Sequence, residues 1–174
     1  MTRAVLSIGS NLGDRLANLA AVITALRSDG AVRVSPVFET DPWGPVPQDD
    51  YLNAILVADA PDRDASGWLS AGREAELAAG RVRDVRWGPR TLDVDVVQVH
   101  NADGTPVLSD DPELTLPHPR AHQRAFVLVP WLAVEPDAVL AGRGSTRSVR
   151  ELVEALPDNE RASVRRRDDL SLER

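Results

Sequence analysis

The chain is 174 residues long, the size of one ordinary domain with a single sizeable core, and its 43% hydrophobic and 27% charged residues are close to the averages for globular chains. It has no cysteine and a formal charge of −7, which excludes disulfides and thiolate zinc sites, fits a reducing cytoplasmic setting, and argues against the broad positive field of a nucleic-acid binder. No apolar run approaches the ~20 residues that cross a bilayer, and all 20 basic residues are arginine, so no P-loop lysine exists and any phosphate site must be a local arginine cluster.

In chain order, Ala4 to Ile8 predicts a strand, Gly9-Ser10-Asn11-Leu12-Gly13 a turn, and residues 14–28 a helix. In that helix Leu16, Leu19, Ala20, Ile23 and Leu26 form one apolar stripe, with Gly30 as the stop. The turn matches neither a Walker loop nor G-x-G-x-x-G and is read as a turn. Val32 to Thr40 predicts a strand interrupted by Pro36, and Asp41 to Asp50 a loop carrying three prolines, a candidate binding loop. Leu52 to Ala58 predicts a strand, and Asp64 to Ala79 a second helix capped by Asp64 or Ser66 and ended by Gly80.

Arg81 to Arg90 follows as a loop with four arginines, one aspartate and a tryptophan. Thr91 to His100 alternates as a strand and Asn101-Ala102-Asp103-Gly104 predicts a chain reversal. Leu116-Pro117-His118-Pro119 reads as extended and Phe126 to Val134 as a short helix. Ser148 with Glu151 predicts a capping box for a last helix. Residues 1–160 are expected to form one domain and residues 161–174 a charged, mobile tail. Strand, helix, strand, strand, helix, strand describes an α+β fold, a ferredoxin-like α/β sandwich with an antiparallel sheet and additional C-terminal helices.

The most informative residues are Asp93 and Asp95. Side chains alternate along a strand, so Leu92, Val94 and Val96 share the core face while the two aspartates point to the other, their Cα atoms about 7 Å apart. Hard oxygen ligands without cysteine or closely spaced histidine select magnesium over zinc, and magnesium takes its remaining ligands from water and substrate phosphates. The arginine loop leading into the pair offers guanidinium forks to those phosphates. Trp43, Tyr51, Asn53 and Phe126 supply aromatic faces and an amide for a flat organic ligand, although Tyr51 and Phe126 also fit as core fillers.

Arg86-Trp87-Gly88-Pro89-Arg90-Thr91-Leu92-Asp93-Val94-Asp95 closely resembles the hydroxymethyl-dihydropterin pyrophosphokinases. Gly9 to Gly13, Tyr51-Leu52-Asn53-Ala54, Gly80-Arg81-Val82-Arg83, Leu116 to Pro119 and Arg124-Ala125-Phe126 occur in the same order and spacing as in that family, from about Ala4 to Pro136. The resemblance implies a cytoplasmic, monomeric ATP-dependent enzyme of folate biosynthesis with a ferredoxin-like fold. It would pass diphosphate from ATP to 6-hydroxymethyl-7,8-dihydropterin and release AMP.

By position, Asp93 and Asp95 resemble the family's ligands for two Mg2+ ions, and Arg81, Arg90 and Asp95 its catalytic groups. Glu76, Arg83, Trp87, His118 and Arg124, with backbone groups at Val96 and Thr115, resemble its ATP contacts. Thr40, Pro42, Trp43, Tyr51, Asn53 and Phe126 resemble its pterin site. Arg73, Pro119 and a loop one residue shorter before Arg86 depart from better-known members at ATP contacts. Two rival readings stand beside this one: a non-catalytic ferredoxin-like nucleotide-binding module, and a magnesium-dependent nucleotidyl transferase attacking the α-phosphorus.

Overall fold

The computed structural model describes residues 1–82 and 87–173; Arg83, Asp84, Val85, Arg86 and Arg174 lie outside the described residues. In chain order the elements are β1 (Thr2–Ser10), α1 (Arg15–Arg27), β2 (Ala31–Val34), β3 (Phe38–Thr40), β4 (Tyr51–Ala60), α2 (Ala65–Ala78) and β5 (Asp93–Asn101). After them come the hairpin β6 (Ser109–Asp111) and β7 (Leu114–Leu116), helix α3 (Ala125–Val134), the hairpin β8 (Val139–Gly142) and β9 (Ser145–Ser148), then α4 (Val149–Ala155), α5 (Asp158–Ala162) and β10 (Val164–Arg166).

The main sheet runs β10-β3-β4-β1-β5, with β2 paired to β4 further along the edge that β3 also uses, and every pair is antiparallel. Taking β2 and β3 as one broken strand, the order with crossovers through α1 and α2 is that of a ferredoxin-like sandwich. The break is at Pro36, which has no N–H to donate to the ladder. Ser35 bridges the gap: its N–H donates to the Ile55 carbonyl at 2.9 Å and its hydroxyl accepts the Ile55 N–H at 2.9 Å.

Local signals explain the helices. Asp14 caps α1 by accepting the Ala17 N–H at 3.0 Å, and Asp64 caps α2 by accepting the Gly67 N–H at 2.7 Å. Gly30 ends the first crossover where a side chain has no room, since a Cβ there would lie 1.9 Å from the Asp59 carbonyl oxygen. The expected capping box at α4 does not form: Ser148 is the N-cap but makes no side-chain capping hydrogen bond. The strand ending at Ile8 in the sequence reading continues to Ser10, because Gly9 and Ser10 stay paired with Asn53 and Leu52 of β4.

The sheet has two differently used faces. Leu6, Ile8, Leu56 and Val94 pack under Leu19 and Ile23 of α1 and Trp68 of α2. On the other face Val5, Ile55, Val57 and Val97 pack under Leu128 and Trp131 of α3 and Leu152 of α4. A bulge opposite Val5 and Leu6 lets Val97 and Gln98 both face this second layer. There the Gln98 amide donates to the Val139 carbonyl at 3.0 Å and accepts the Ala141 N–H at 3.2 Å. Trp68 and Trp131 are wholly buried with their indole N–H groups satisfied by Thr2 and Glu135. Helices α3 and α4 cover only part of their face, and the strand ends carrying Ser7, Gly9, Asn53, Asp93 and Asp95 border a cavity beside them.

Residues 161–174, expected as a mobile charged tail, are docked on the domain as far as Glu173. Val164 to Arg166 pair with Thr40 to Phe38 as β10, the Arg167 N–H donates to the Val37 carbonyl at 2.9 Å, and Leu172 is buried in the α1/α2 core. The arginines that made the segment look solvated are partnered: Arg165 with Asp41 and Asp50, and Arg167 with Glu39 and Asp169. Leu172→Ala should therefore destabilise the fold by about 2 kcal/mol and lower Tm by roughly 4 to 8 °C in a chain of this size. Calorimetry checks this, and a loosely attached tail would leave Tm where it was.

Candidate active site

The site is a cavity of about 250 Å³ at the end of the sheet where β1 finishes and β4 and β5 begin. Its floor follows from register. Ser7 lies opposite Asp95 and Gly9 opposite Asp93 on β5, while Gly9 lies opposite Asn53 on β4, so one row across three strands faces the cavity. Gly9 is required by this crowding. A Cβ at that position would lie 2.6 Å from Asn53 Oδ1 and 3.4 Å from a ring carbon of Tyr51.

Asp93 is held by two guanidinium groups, Arg81 at 2.8 Å and Arg90 at 2.7 Å, both at Oδ1. Arg81 is nearly buried and also pairs with Glu76, whose carboxylate accepts the Val94 N–H at 3.0 Å. Arg81 and Glu76 thus sit behind Asp93 and orient it; neither lines the cavity, whereas Arg90 does. On Asp95, Arg124 donates to Oδ2 at 3.2 Å and His118 Nε2 lies 4.0 Å from the same oxygen. Among the described residues, no ion pair engages Asp93 Oδ2 or Asp95 Oδ1.

Burial, reinforced by the neighbouring Asp93 charge and only partly offset by Arg124 and Arg90, pushes the Asp95 carboxyl up to about 6. A cation placed between the carboxylates would relieve that repulsion, and a pair of hard oxygen donors suits magnesium. Burial, helped by the Arg124 charge, lowers His118 to about 4, so its imidazole is neutral at pH 7. Its Nδ1 accepts the Arg120 N–H at 3.2 Å, which leaves the proton on Nε2, facing Asp95.

The opposite wall is aromatic. Trp43 and Phe126 meet edge to face with ring centroids 6.3 Å apart, and the Arg124 guanidinium lies 5.5 Å from one ring centre and 5.3 Å from the other. Asn53 Nδ2 donates to Thr40 Oγ1 at 2.6 Å, which fixes the amide with its oxygen above Gly9. Burial raises the Tyr51 phenol above its usual range, with the guanidinium of Arg90 opposing that shift, and its hydroxyl donates to Gln48 at 3.3 Å.

The sequence-predicted set divides cleanly. Thr40, Trp43, Tyr51, Asn53, Phe126, Trp87, Arg90, Asp93, Asp95, His118 and Arg124 meet at the cavity. Pro42 lies between two residues lining the cavity, Asp41 and Trp43, without lining it itself. Val96 packs into the core and the Thr115 hydroxyl donates to the Asp111 carbonyl at 2.9 Å; both residues are outside the cavity lining. They belong to neighbouring strands, β5 at the edge of the sheet and β7 beside it. Arg83 lies outside the described residues.

Sequence reasoning did not single out Ser7, which lines the cavity; it placed Asp41 in a candidate binding loop, Gly88 in the family motif, and Gly9 in a turn and a family block. It also missed the brace beneath the rim. Asn11 Nδ2 donates to Gln48 Oε1 at 2.9 Å, Gln48 Nε2 donates to the Trp87 carbonyl at 2.8 Å, and Asn11 Oδ1 accepts the Arg90 N–H at 2.8 Å. Trp87 has a φ of 67°, unusual for a bulky residue, and lies against Gly44, whose own φ is 101°.

Comparison with known proteins places the chain in a family. The family profile described as 7,8-dihydro-6-hydroxymethylpterin-pyrophosphokinase (HPPK) matches residues 5–136. The 2-amino-4-hydroxy-6-hydroxymethyldihydropteridine pyrophosphokinase of Mycobacterium tuberculosis is 50% identical over 169 residues, covering 95% of this chain and 89% of that protein. The protein of the same name from Methylorubrum extorquens is 41% identical over 159 residues, covering 90% of this chain and 94% of its own. A crystal structure of a Plasmodium falciparum HPPK-DHPS with pterin and p-hydrobenzoate superposes with a TM-score of 0.62 at 14% identity, covering 95% of this chain. This chain spans only 47% of that longer protein, so the likeness concerns the fold of one part of it. With a profile match over most of its length and relatives at half identity, the chain belongs to the 7,8-dihydro-6-hydroxymethylpterin pyrophosphokinase family.

Proposed function

We propose that this chain transfers diphosphate from ATP to the hydroxymethyl group of 6-hydroxymethyl-7,8-dihydropterin, releasing AMP, as a step of folate biosynthesis. The observation that carries the reading is the meeting of Asp93 and Asp95 with the aromatic and amide wall of Trp43, Phe126 and Asn53 in one cavity. One side suits a charged triphosphate and the other a flat heterocycle, as a two-substrate transfer requires.

In this reading the pterin lies against Tyr51 and Phe126, with Thr40, Pro42 and Trp43 forming the loop over it. Asn53 Oδ1 accepts a ring or amino N–H, and the Thr40 hydroxyl, already accepting from Asn53, turns its own proton toward the ligand. Asp93 and Asp95 would hold two magnesium ions, which would neutralise phosphate oxygens and align the triphosphate for displacement at the β-phosphorus. The pterin hydroxymethyl oxygen attacks in line and AMP leaves. Arg90 and Arg124 donate to the transferring oxygens from opposite sides of the carboxylate pair, and neutral His118 adds a donor at Nε2. Arg81 acts from behind by fixing Asp93. Asp95, beside the metals, would be the acceptor within the site for the hydroxymethyl proton.

Glu76 serves this arrangement through Arg81 and the Val94 N–H, and Val96 and Thr115 through backbone groups at the sheet edge where adenine is expected. Trp87 and Arg83 belong to the loop expected over the phosphates. The reading extends to a cytoplasmic monomer, in keeping with a cysteine-free chain. Among the described residues no helix is long and apolar enough to cross a membrane.

Gly9→Ala is expected to fold, since β1 is extended there, but to push Asn53 off Thr40. The KM for pterin should rise by roughly ten-fold with little change for ATP, the loss expected from a displaced hydrogen bond and a steric intrusion. Steady-state kinetics with each substrate varied in turn would show it.

The reading itself is tested by the product. Purified protein with magnesium, ATP and 6-hydroxymethyl-7,8-dihydropterin should release AMP, with both the β- and γ-phosphorus on the pterin by phosphorus NMR, and a chelator should stop the reaction. ADP would indicate an ordinary kinase, free pyrophosphate a nucleotidyl transferase, and intact ATP a binding module; any of these would overturn the proposal.

A further inference from the structure

The segment after the family match, beyond residue 136, holds the pterin side of the cavity together. Glu160, on α5, uses one carboxylate oxygen to accept two hydrogen bonds, from Trp43 Nε1 at 3.1 Å and from the Ala125 N–H at 3.3 Å. Ala125 is the first residue of α3 and the next residue is Phe126. A single oxygen atom therefore ties the covering loop at Trp43 to the helix bearing Phe126, and the two rings stand edge to face at an interplanar angle of 81°.

The same segment fastens the rest of the loop. The Ser163 carbonyl accepts the Asp41 N–H at 3.2 Å, and Arg165 donates to Asp41 at one end of the loop and to Asp50 at the other, each at 2.8 Å. Exposed ion pairs of this kind add little to global stability. Their consequence lies in where the loop rests, and a preorganised loop spares the ligand the cost of ordering it.

We propose that Glu160 is a positioning residue for the pterin substrate, setting the spacing between Trp43 and Phe126, with Arg165 bracketing the loop that carries Trp43. The inference rests on the pterin reading of this cavity. What fixes the two elements is one oxygen accepting both N–H groups. Glutamine at 160 keeps a carbonyl oxygen that accepts both donors, whereas alanine keeps none.

The test compares wild type, Glu160→Ala, Glu160→Gln and Arg165→Ala by steady-state kinetics with either substrate varied, with thermal melts and tryptophan emission spectra. Glu160→Ala should raise the pterin KM by roughly ten-fold while the ATP KM stays within about two-fold. It should also shift the emission spectrum, because the Trp43 indole loses its partner. Glu160→Gln should behave as wild type in both, and Arg165→Ala should raise the pterin KM with its melt unchanged. An unaltered pterin KM in Glu160→Ala, a parallel rise in both KM values, or a Glu160→Gln as impaired as the alanine variant would overturn the proposal. If Glu160→Ala does not fold, Arg165→Ala decides: a wild-type pterin KM there counts against the clamp. If wild type does not turn over the pterin at all, the substrate reading has failed, and the clamp then stands or falls on the emission shift of Glu160→Ala.

Discussion

Asp93 and Asp95 are like charges two residues apart on one strand, and the surrounding structure is arranged around the cost of keeping them together. Burial, reinforced by the neighbouring Asp93 charge, pushes the Asp95 carboxyl up to about 6. Arg81 and Arg90 answer the charge on Asp93, and Arg124 answers that on Asp95. Glu76 in turn answers Arg81 and uses the Val94 N–H to fix its own carboxylate against β5. In the proposed reading, a divalent cation carrying phosphates would relieve the remaining repulsion between the aspartates.

The ferredoxin-like sandwich provides for this by treating its two faces differently. One is sealed by α1 and α2 along the strands, with Ile8, Leu56 and Val94 beneath them. The other is sealed by α3 and α4 only over Val5, Ile55, Val57 and Val97. Period-two alternation then makes the carboxylates, Ser7, Gly9 and Asn53 a consequence of the same pattern that buries the core. A shift of one residue in β5 would turn Asp93 and Asp95 into the α1/α2 core and Val94 into the cavity, so the hydrophobic register and the chemistry are set together.

Much of this was legible in the residues. The apolar stripe of α1, the cap at Asp64, and the alternation from Leu92 to Val96 are local patterns, and each predicts its element without knowledge of the rest. What escaped was non-local. Gly9 looks like a turn residue until Asn53 and Tyr51 are seen to occupy the space of its side chain, a contact between β1 and β4. The residues mark Asn11 only as part of a turn and family block and Gln48 not at all, and their brace on Trp87 and Arg90 exists only once distant loops meet. The contacts of the charged C-terminal segment were not legible for the same reason, since its arginines find Glu39, Asp41 and Asp50 more than a hundred residues earlier. Glu76 illustrates the remaining gap: its helix was correctly placed, but its burial behind β5 makes it a support for Arg81 where a cavity-facing contact had been expected.

The account stands on the carboxylate pair, and steady-state turnover of Asp93→Asn and Asp95→Asn, with matched thermal melts, tests it most directly. Each substitution should lower kcat by roughly a hundred-fold or more, the scale of losing one preorganised electrostatic contact in the transition state. The melts should stay close to wild type, because both side chains face the cavity and not the core. Near wild-type turnover in either folded variant, with magnesium and both substrates present, would contradict the account.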